Sequence, residues 1–239
     1  MKRLLPSVFP LTVALILPLL ASAQDPLITK EDMPNAVHFL PAPPDTASAA
    51  FAYDKAQYRW GLEQRKDSAR CAIAVRDAEW SIGIICRELG GAMGITISKE
   101  ATPDISQMLA VGLMTIDQVG KLPKEHYLRT RPFVFFHEPT IAPWDEEELS
   151  HNGSYPSGHT ILGWSAALLL TEMAPDKADT ILARGYMYGQ SRVIAGFHWQ
   201  SDVDAGRLAA RAAVARLHAD SRFLDLMAKA RKEYLKIKN

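Results

Sequence analysis

The chain has 239 residues, with 27 Lys plus Arg against 27 Asp plus Glu and 48% hydrophobic residues. A balanced charge argues against nucleic acid as a partner on electrostatic grounds. The length fits one domain with a sizeable core, and neither an internal repeat nor a low-complexity tract divides it.

Residues 1–23 read as a secretory signal peptide. Lys2 and Arg3 form the charged start, an apolar run extends from Leu11 to Leu20, and Ala21-Ser22-Ala23 precedes a cleavage site near Ala23-Gln24. Pro10 and Pro18 interrupt the run, which falls short of the ~20 clean apolar residues of a membrane span. Loss of Lys2 and Arg3 leaves the 24–239 domain with a net charge of −2 before histidines. The expected location is the periplasm or the cell exterior.

Residues 24–48 hold Pro26, Pro34, Pro41, Pro43 and Pro44 without a period and read as an extended arm or loop. From Ala49 onward the pattern is helical. Residues 50–78 are rich in Ala, Gln, Arg and Leu, and Pro103-Asp104 opens a helix toward Val119. Residues 133–136 are the one short strand candidate. A helix is predicted over 158–173, closed by Pro175. Asp176 should cap another over 177–190, a further one spans 199–218, and Ser221 should cap the last. The expected architecture is an all-α, single-domain helical bundle. No segment after residue 23 reaches transmembrane length, because Gly163, Ser165 and Glu172 interrupt the longest apolar run.

Cys71 and Cys86 are the only cysteines. On one continuous helix, 15 residues span ~22 Å, beyond the reach of a disulfide. Either the chain turns back near residues 77–81 and a bond forms, or both are free thiols.

Three short motifs carry chemistry. They are Lys124-x6-Arg131-Pro132, Pro156-Ser157-Gly158-His159 and Ser191-Arg192-x5-His198-x3-Asp202. They supply three cations, two imidazoles, one carboxylate and a glycine-containing turn, a set suited to holding a phosphate and attacking its phosphorus. His198 and Asp202 are four apart, so on a helix the carboxylate can accept the Nδ1 proton and leave Nε2 as a nucleophile that forms a phosphohistidine. Ser157 and Gly158 should sit at a helix start with backbone N–H groups facing an anion. His159, one residue on, is the candidate general acid and later base. Lys124, Arg131 and Arg192 are the phosphate clamp.

Taken singly, a His/Asp pair reads as a surface pair and PSGH as an ordinary helix cap. Their occurrence together decides for a site. Lys121 and Arg129 fall outside the K-x6-R register and read as surface charges, and Asp204 should point away from His198. His38, His126, His137, His151 and His218 match no catalytic position. Residues 145–148, Asp-Glu-Glu-Glu, read as a solvated loop with no flanking ligand cluster, so no metal is expected there. In the basic terminal helix, Phe223, Met227, Ala230, Tyr234 and Ile237 recur at spacings of three and four and form a packing face.

The three motifs together resemble the signature of the type 2 phosphatidic acid phosphatase superfamily, which includes vanadium haloperoxidases. The string Gly153-Ser154-Tyr155-Pro156-Ser157-Gly158-His159-Thr160 resembles the class A bacterial non-specific acid phosphatases. That resemblance implies a phosphohistidine mechanism on small-molecule phosphomonoesters without metal or cofactor. It also implies inhibition by phosphate or vanadate, a homodimeric assembly in many members, and phosphotransfer to alcohols as a side activity. The alternatives are a vanadium-dependent haloperoxidase, a hydrolase using His159, His198 and Asp202 as metal ligands, and a non-catalytic phosphate-binding protein.

Overall fold

The computed structural model describes residues 26–239, so the leader reading of residues 1–23 falls outside the described residues. The helices are α1 (Ala49–Gln64), α2 (Ser68–Ala78), α3 (Ile82–Met93), α4 (Pro103–Ile116), α5 (Lys121–Tyr127), α6 (Pro132–Phe136), α7 (Glu146–Ser150), α8 (Gly158–Met173), α9 (Ala178–Ala195), α10 (Gln200–Leu217) and α11 (Ser221–Lys238). Among the described residues there is no strand, and the chain is all-α.

Local chemistry sets these boundaries. Residues 50–78 form two helices rather than one, because the Asp67 carboxylate accepts from the N–H groups of Ala69 and Arg70 and starts α2 afresh. Residues 133–136 form a helical turn and not a strand. Pro132 presets the first helical φ, Phe135 N–H donates to the Arg131 carbonyl, and His137 ends the turn in the left-handed region at φ 55°. Asp176 does not cap α9. Its carboxylate is taken by Lys238 Nζ at 2.9 Å, a 3-10 turn fills Pro175–Lys177, and α9 continues to Ala195. Asp220, one residue before Ser221, caps α11 through a 2.9 Å bond from Arg222 N–H.

Helix α8 is the axis of the bundle. Ile161, Ala166, Leu169 and Leu170 are all fully buried, since the helix is apolar on every side and packs against α4, α9 and α10. Each such Leu or Ile contributes about 1.5–3 kcal/mol by burial. Helix α11 lays Phe223, Met227, Ala230 and Tyr234 against α4 and α8, while Ile237 stays exposed. Helices α1 and α2 flank α9. The arm after Pro26 has no regular structure, yet it buries Ile28, Met33, Ala36 and Leu40 in the same core. The chain does turn back between α2 and α3, and Cys71 and Cys86 are both free thiols. Among the described residues, no helix is long and apolar enough to cross a membrane.

Candidate active site

Three connections bring the motif residues to one end of α8. The first leaves α5 through Leu128, which adopts a left-handed conformation at φ 44°, and runs through residues 129–131. It pairs with the segment before α8 through a 2.9 Å bond from Ser154 N–H to the Arg129 carbonyl. A Cβ on Gly153 would lie 2.8 Å from the Lys124 carbonyl, so this approach requires glycine. The Gly153 carbonyl thereby accepts from Lys124 Nζ at 3.0 Å and from Arg131 Nη2 at 3.4 Å, and one backbone oxygen ties two cations together.

The second connection is the turn between α9 and α10. Gly196 sits at φ 88° and ends α9, after which the N–H groups of Phe197 and His198 both donate to the Arg192 carbonyl at 3.1 and 3.3 Å. This fixes the His198 backbone to the residue whose guanidinium it faces. At the start of α10, Asp202 Oδ2 accepts from Trp199 N–H at 2.9 Å and from His198 Nδ1 at 3.3 Å. Arg131 Nη1 lies 3.1 Å from His198 Nε2. A guanidinium can only donate, so Nε2 is the acceptor and Nδ1 carries the proton given to Asp202. His198 and Asp202 are both buried.

The third connection joins α2 to α3. Its Ala78 carbonyl accepts from His159 Nε2 at 3.0 Å and from Arg192 Nη1 at 3.4 Å. With its proton on Nε2, His159 presents Nδ1 as the free nitrogen. Burial, Arg192, His198 and Arg131 hold His159 well below the usual histidine range. Burial and the cations Arg131, Lys124 and Arg192 do the same to His198. The same burial and cations favour the neutral form of both imidazoles.

Lys124, Arg131, Gly158, His159, Arg192 and His198 line a single cavity of about 330 Å³. Ser157 is fully buried and is not among the lining residues. Its N–H donates to the Asp202 carbonyl at 3.0 Å, and its hydroxyl oxygen accepts from Thr160 N–H and Thr160 Oγ1. The expectation that the Ser157 N–H faces an anion is thus corrected, because that donor is spent on joining α8 to α10. Among the described residues, the first-turn N–H groups of α8 without a protein acceptor are those of Gly158 and His159.

The cations are crowded and underused. Arg192 Nε and Nη2 and Arg131 Nε are buried without a hydrogen-bond acceptor. Burial and the neighbouring Arg131 push Lys124 down to about 7 and Arg192 down to about 9, and burial brings Arg131 to about 10. Desolvated positive charges packed together are costly unless an anion joins them. The chemistry of the cavity suits an oxyanion, and His159 and His198 both line it. Among the described residues, no group of three His, Cys, Asp or Glu side chains clusters as a metal site.

Several residues differ from their sequence reading. Arg129 is not a surface charge. Its side chain is 9% exposed and binds Asp202 Oδ1 at 2.5 Å, Asp54 Oδ2 at 2.7 Å and Ser201 Oγ at 2.7 Å, behind His198. Asp54 accepts in addition from Ser201 N–H at 2.9 Å. Residues 145–148 are a 3-10 turn and the start of α7 rather than a loop; Glu147 is solvated as read, but Asp145 and Glu148 line the cavity and the Glu146 carboxylate accepts from Thr140 N–H at 2.7 Å. Burial pushes the Asp145 carboxyl up, against the pull of Arg192. Asn152 Oδ1 holds Arg131 Nη2 at 2.5 Å, and Trp80 forms part of the cavity wall. Sequence carried no signal for Asp54 or Trp80, whereas Asn152 adjoins the GSYPSGHT string.

Lys121, read as a surface charge, is half-exposed and paired with Asp117 at 2.5 Å, and both also line the cavity. Asp204 points away from His198 and pairs with Arg207 at 2.8 Å. His151 is exposed beside Glu147, and His218 sits between Val214 and Glu172.

Comparison with known proteins supports the same region. Residues 106–223, which contain every motif residue, match the family model described as the PAP2 superfamily. The chain is 42% identical to a non-specific acid phosphatase of Providencia stuartii, over 85% of this chain and 82% of that one. It is 41% identical to a non-specific acid phosphatase of Salmonella typhimurium, over 89% and 85% of the two chains. An acid phosphatase of Zymomonas mobilis is 38% identical, over 82% and 74%.

Proposed function

Because the chain belongs to the PAP2 superfamily, and within it to the class A bacterial non-specific acid phosphatases, we propose that it hydrolyses small-molecule phosphomonoesters through a phosphohistidine at His198. The observation that carries this reading is the set of buried guanidinium N–H groups on Arg131 and Arg192 that lack acceptors beside an unprotonated His198 Nε2.

The phosphoryl group enters between Arg131 and His198. Its oxygens take the free N–H groups of Arg131 and Arg192, the Lys124 ammonium and the Gly158 and His159 amides. His198 Nε2 attacks phosphorus as the bond to the ester oxygen breaks, and Asp202 stabilises the imidazolium that forms. His159 gives its proton to the leaving alkoxide. It then takes a proton from the water that attacks the phosphohistidine, and phosphate leaves with His198 restored. The incoming phosphate offsets the arginines that hold His159 neutral, so protonation of His159 is coupled to substrate binding.

These steps call on no metal or cofactor. The leader reading of residues 1–23 places the enzyme in the periplasm or the medium, and the same cation set would take vanadate as an inhibitor. An alcohol in place of water would give phosphotransfer, and a homodimer is the proposed assembly. A panel of aryl, sugar and nucleoside phosphates assayed with and without a chelator tests the reading. Undiminished hydrolysis in chelator is expected, and loss of activity that added metal restores would contradict it.

A further inference from the structure

A second groove, of about 550 Å³, adjoins the phosphate cavity. Ile82, Leu113, Met114 and Leu162 line it, and Trp80 and Asp117 belong to the walls of both spaces. Trp80 stands at the junction. It is 57% exposed, yet its indole meets the His159 ring edge-on at 4.7 Å between centroids. Its far edge covers Gly158, where an added Cβ would meet the ring at 3.4 Å. The two-residue link holding it, between the end of α2 and the Ser81 cap of α3, directly follows the Ala78 carbonyl that anchors His159 and Arg192. A large aromatic surface left open on a two-residue link, beside a reaction centre, is placed to meet a ligand.

Chemistry gives the direction. In a displacement at phosphorus the attacking and leaving atoms are in line, so the organic group departs on the side away from His198 Nε2, past His159. Trp80 packs against His159, and the apolar groove adjoins the cavity at Trp80. We infer that this groove is the leaving-group site, and that Trp80 selects phosphomonoesters whose alcohol is aromatic or extended and apolar. The inference rests on the phosphatase reading above.

The test compares kcat/KM for 2-naphthyl phosphate with that for methyl phosphate, the first large enough to reach the groove and the second too small. Trp80→Ala should lower the naphthyl-to-methyl ratio about tenfold, and Trp80→Phe should restore most of it. Met114→Gln, deeper in the groove, should lower the ratio of naphthyl to phenyl phosphate. Equal losses on both esters would show that Trp80 acts only through His159 and would overturn the subsite. An unchanged ratio would overturn it too. If wild-type protein hydrolyses neither ester, the phosphatase reading itself fails and takes the subsite with it.

Discussion

Replacing Arg129 with Met should destabilise the protein far more than its place outside the motif register suggests. Arg129 bridges Asp54 and Asp202 at 2.7 and 2.5 Å, and the two carboxylate side chains are 1% and 0% exposed. Removing the guanidinium leaves two buried carboxylates short of a cation, and breaking one buried pair costs about 3–5 kcal/mol. Asp54 keeps its bonds from Ser201, and Asp202 keeps Trp199 N–H and His198, so the lower end of that range applies. For a domain of this size each kcal/mol moves Tm by about 2–4 °C, which gives a fall of roughly 6–12 °C. Arg129→Lys should fall between the two, because an ammonium cannot make the forked contact to both carboxylates. Activity should also drop, on the order of tenfold to a hundredfold, because Asp202 loses the anchor that orients it toward His198. Thermal melts followed by circular dichroism, with kcat measured well below Tm, decide the matter. A Tm within 2 °C of wild type, the behaviour of a surface arginine, would refute the reasoning.

Asp202→Asn should keep the fold but lower kcat by ~10²–10⁴, because an amide can hold the wrong imidazole tautomer. Asp204→Asn should change kcat little, and comparable losses at the two positions would show that the His198–Asp202 geometry is not what matters. His159→Ala should slow the first release of alcohol more for alkyl than for aryl phosphates, since an acidic phenol needs no proton. Equal losses in stopped-flow bursts would leave His159 as a phosphate ligand only. Lys124, pushed down to about 7, is a cation below that pH and loses its charge above it. The alkaline limb of kcat/KM should therefore fall through about pH 7. Lys124→Arg should carry that limb upward, and an unmoved limb would remove Lys124 as its cause.

The site was legible in sequence wherever its geometry is local. The His198–Asp202 pair needs only the first turn of α10, and the PSGH turn needs only the start of α8, so a spacing of a few residues specifies each. Arg129 was misread because its partner Asp54 lies 75 residues away on α1, and no local pattern marks a buried pair formed across the bundle. Ala78 and Trp80 sit outside residues 106–223, at the end of α2 and in the link after it, and they matter only because this stretch packs against the start of α8. Ser157 was placed correctly as a cap, but its N–H was assigned to an anion because nothing in the sequence shows that the Asp202 carbonyl comes within 3.0 Å. Residues 133–136 look like a strand by composition. They form a helical turn because Pro132 presets the first helical φ and Phe135 N–H reaches back to the Arg131 carbonyl, neither of which composition alone shows.

The central claim is covalent catalysis by His198, and acid-labile phosphate on that residue tests it most directly. Wild-type enzyme quenched during turnover of a labelled aryl phosphate should carry the label on His198, while His198→Ala should trap none and turn over no substrate. Label mapped to another residue, or a His198→Ala variant with wild-type rates, would contradict the account.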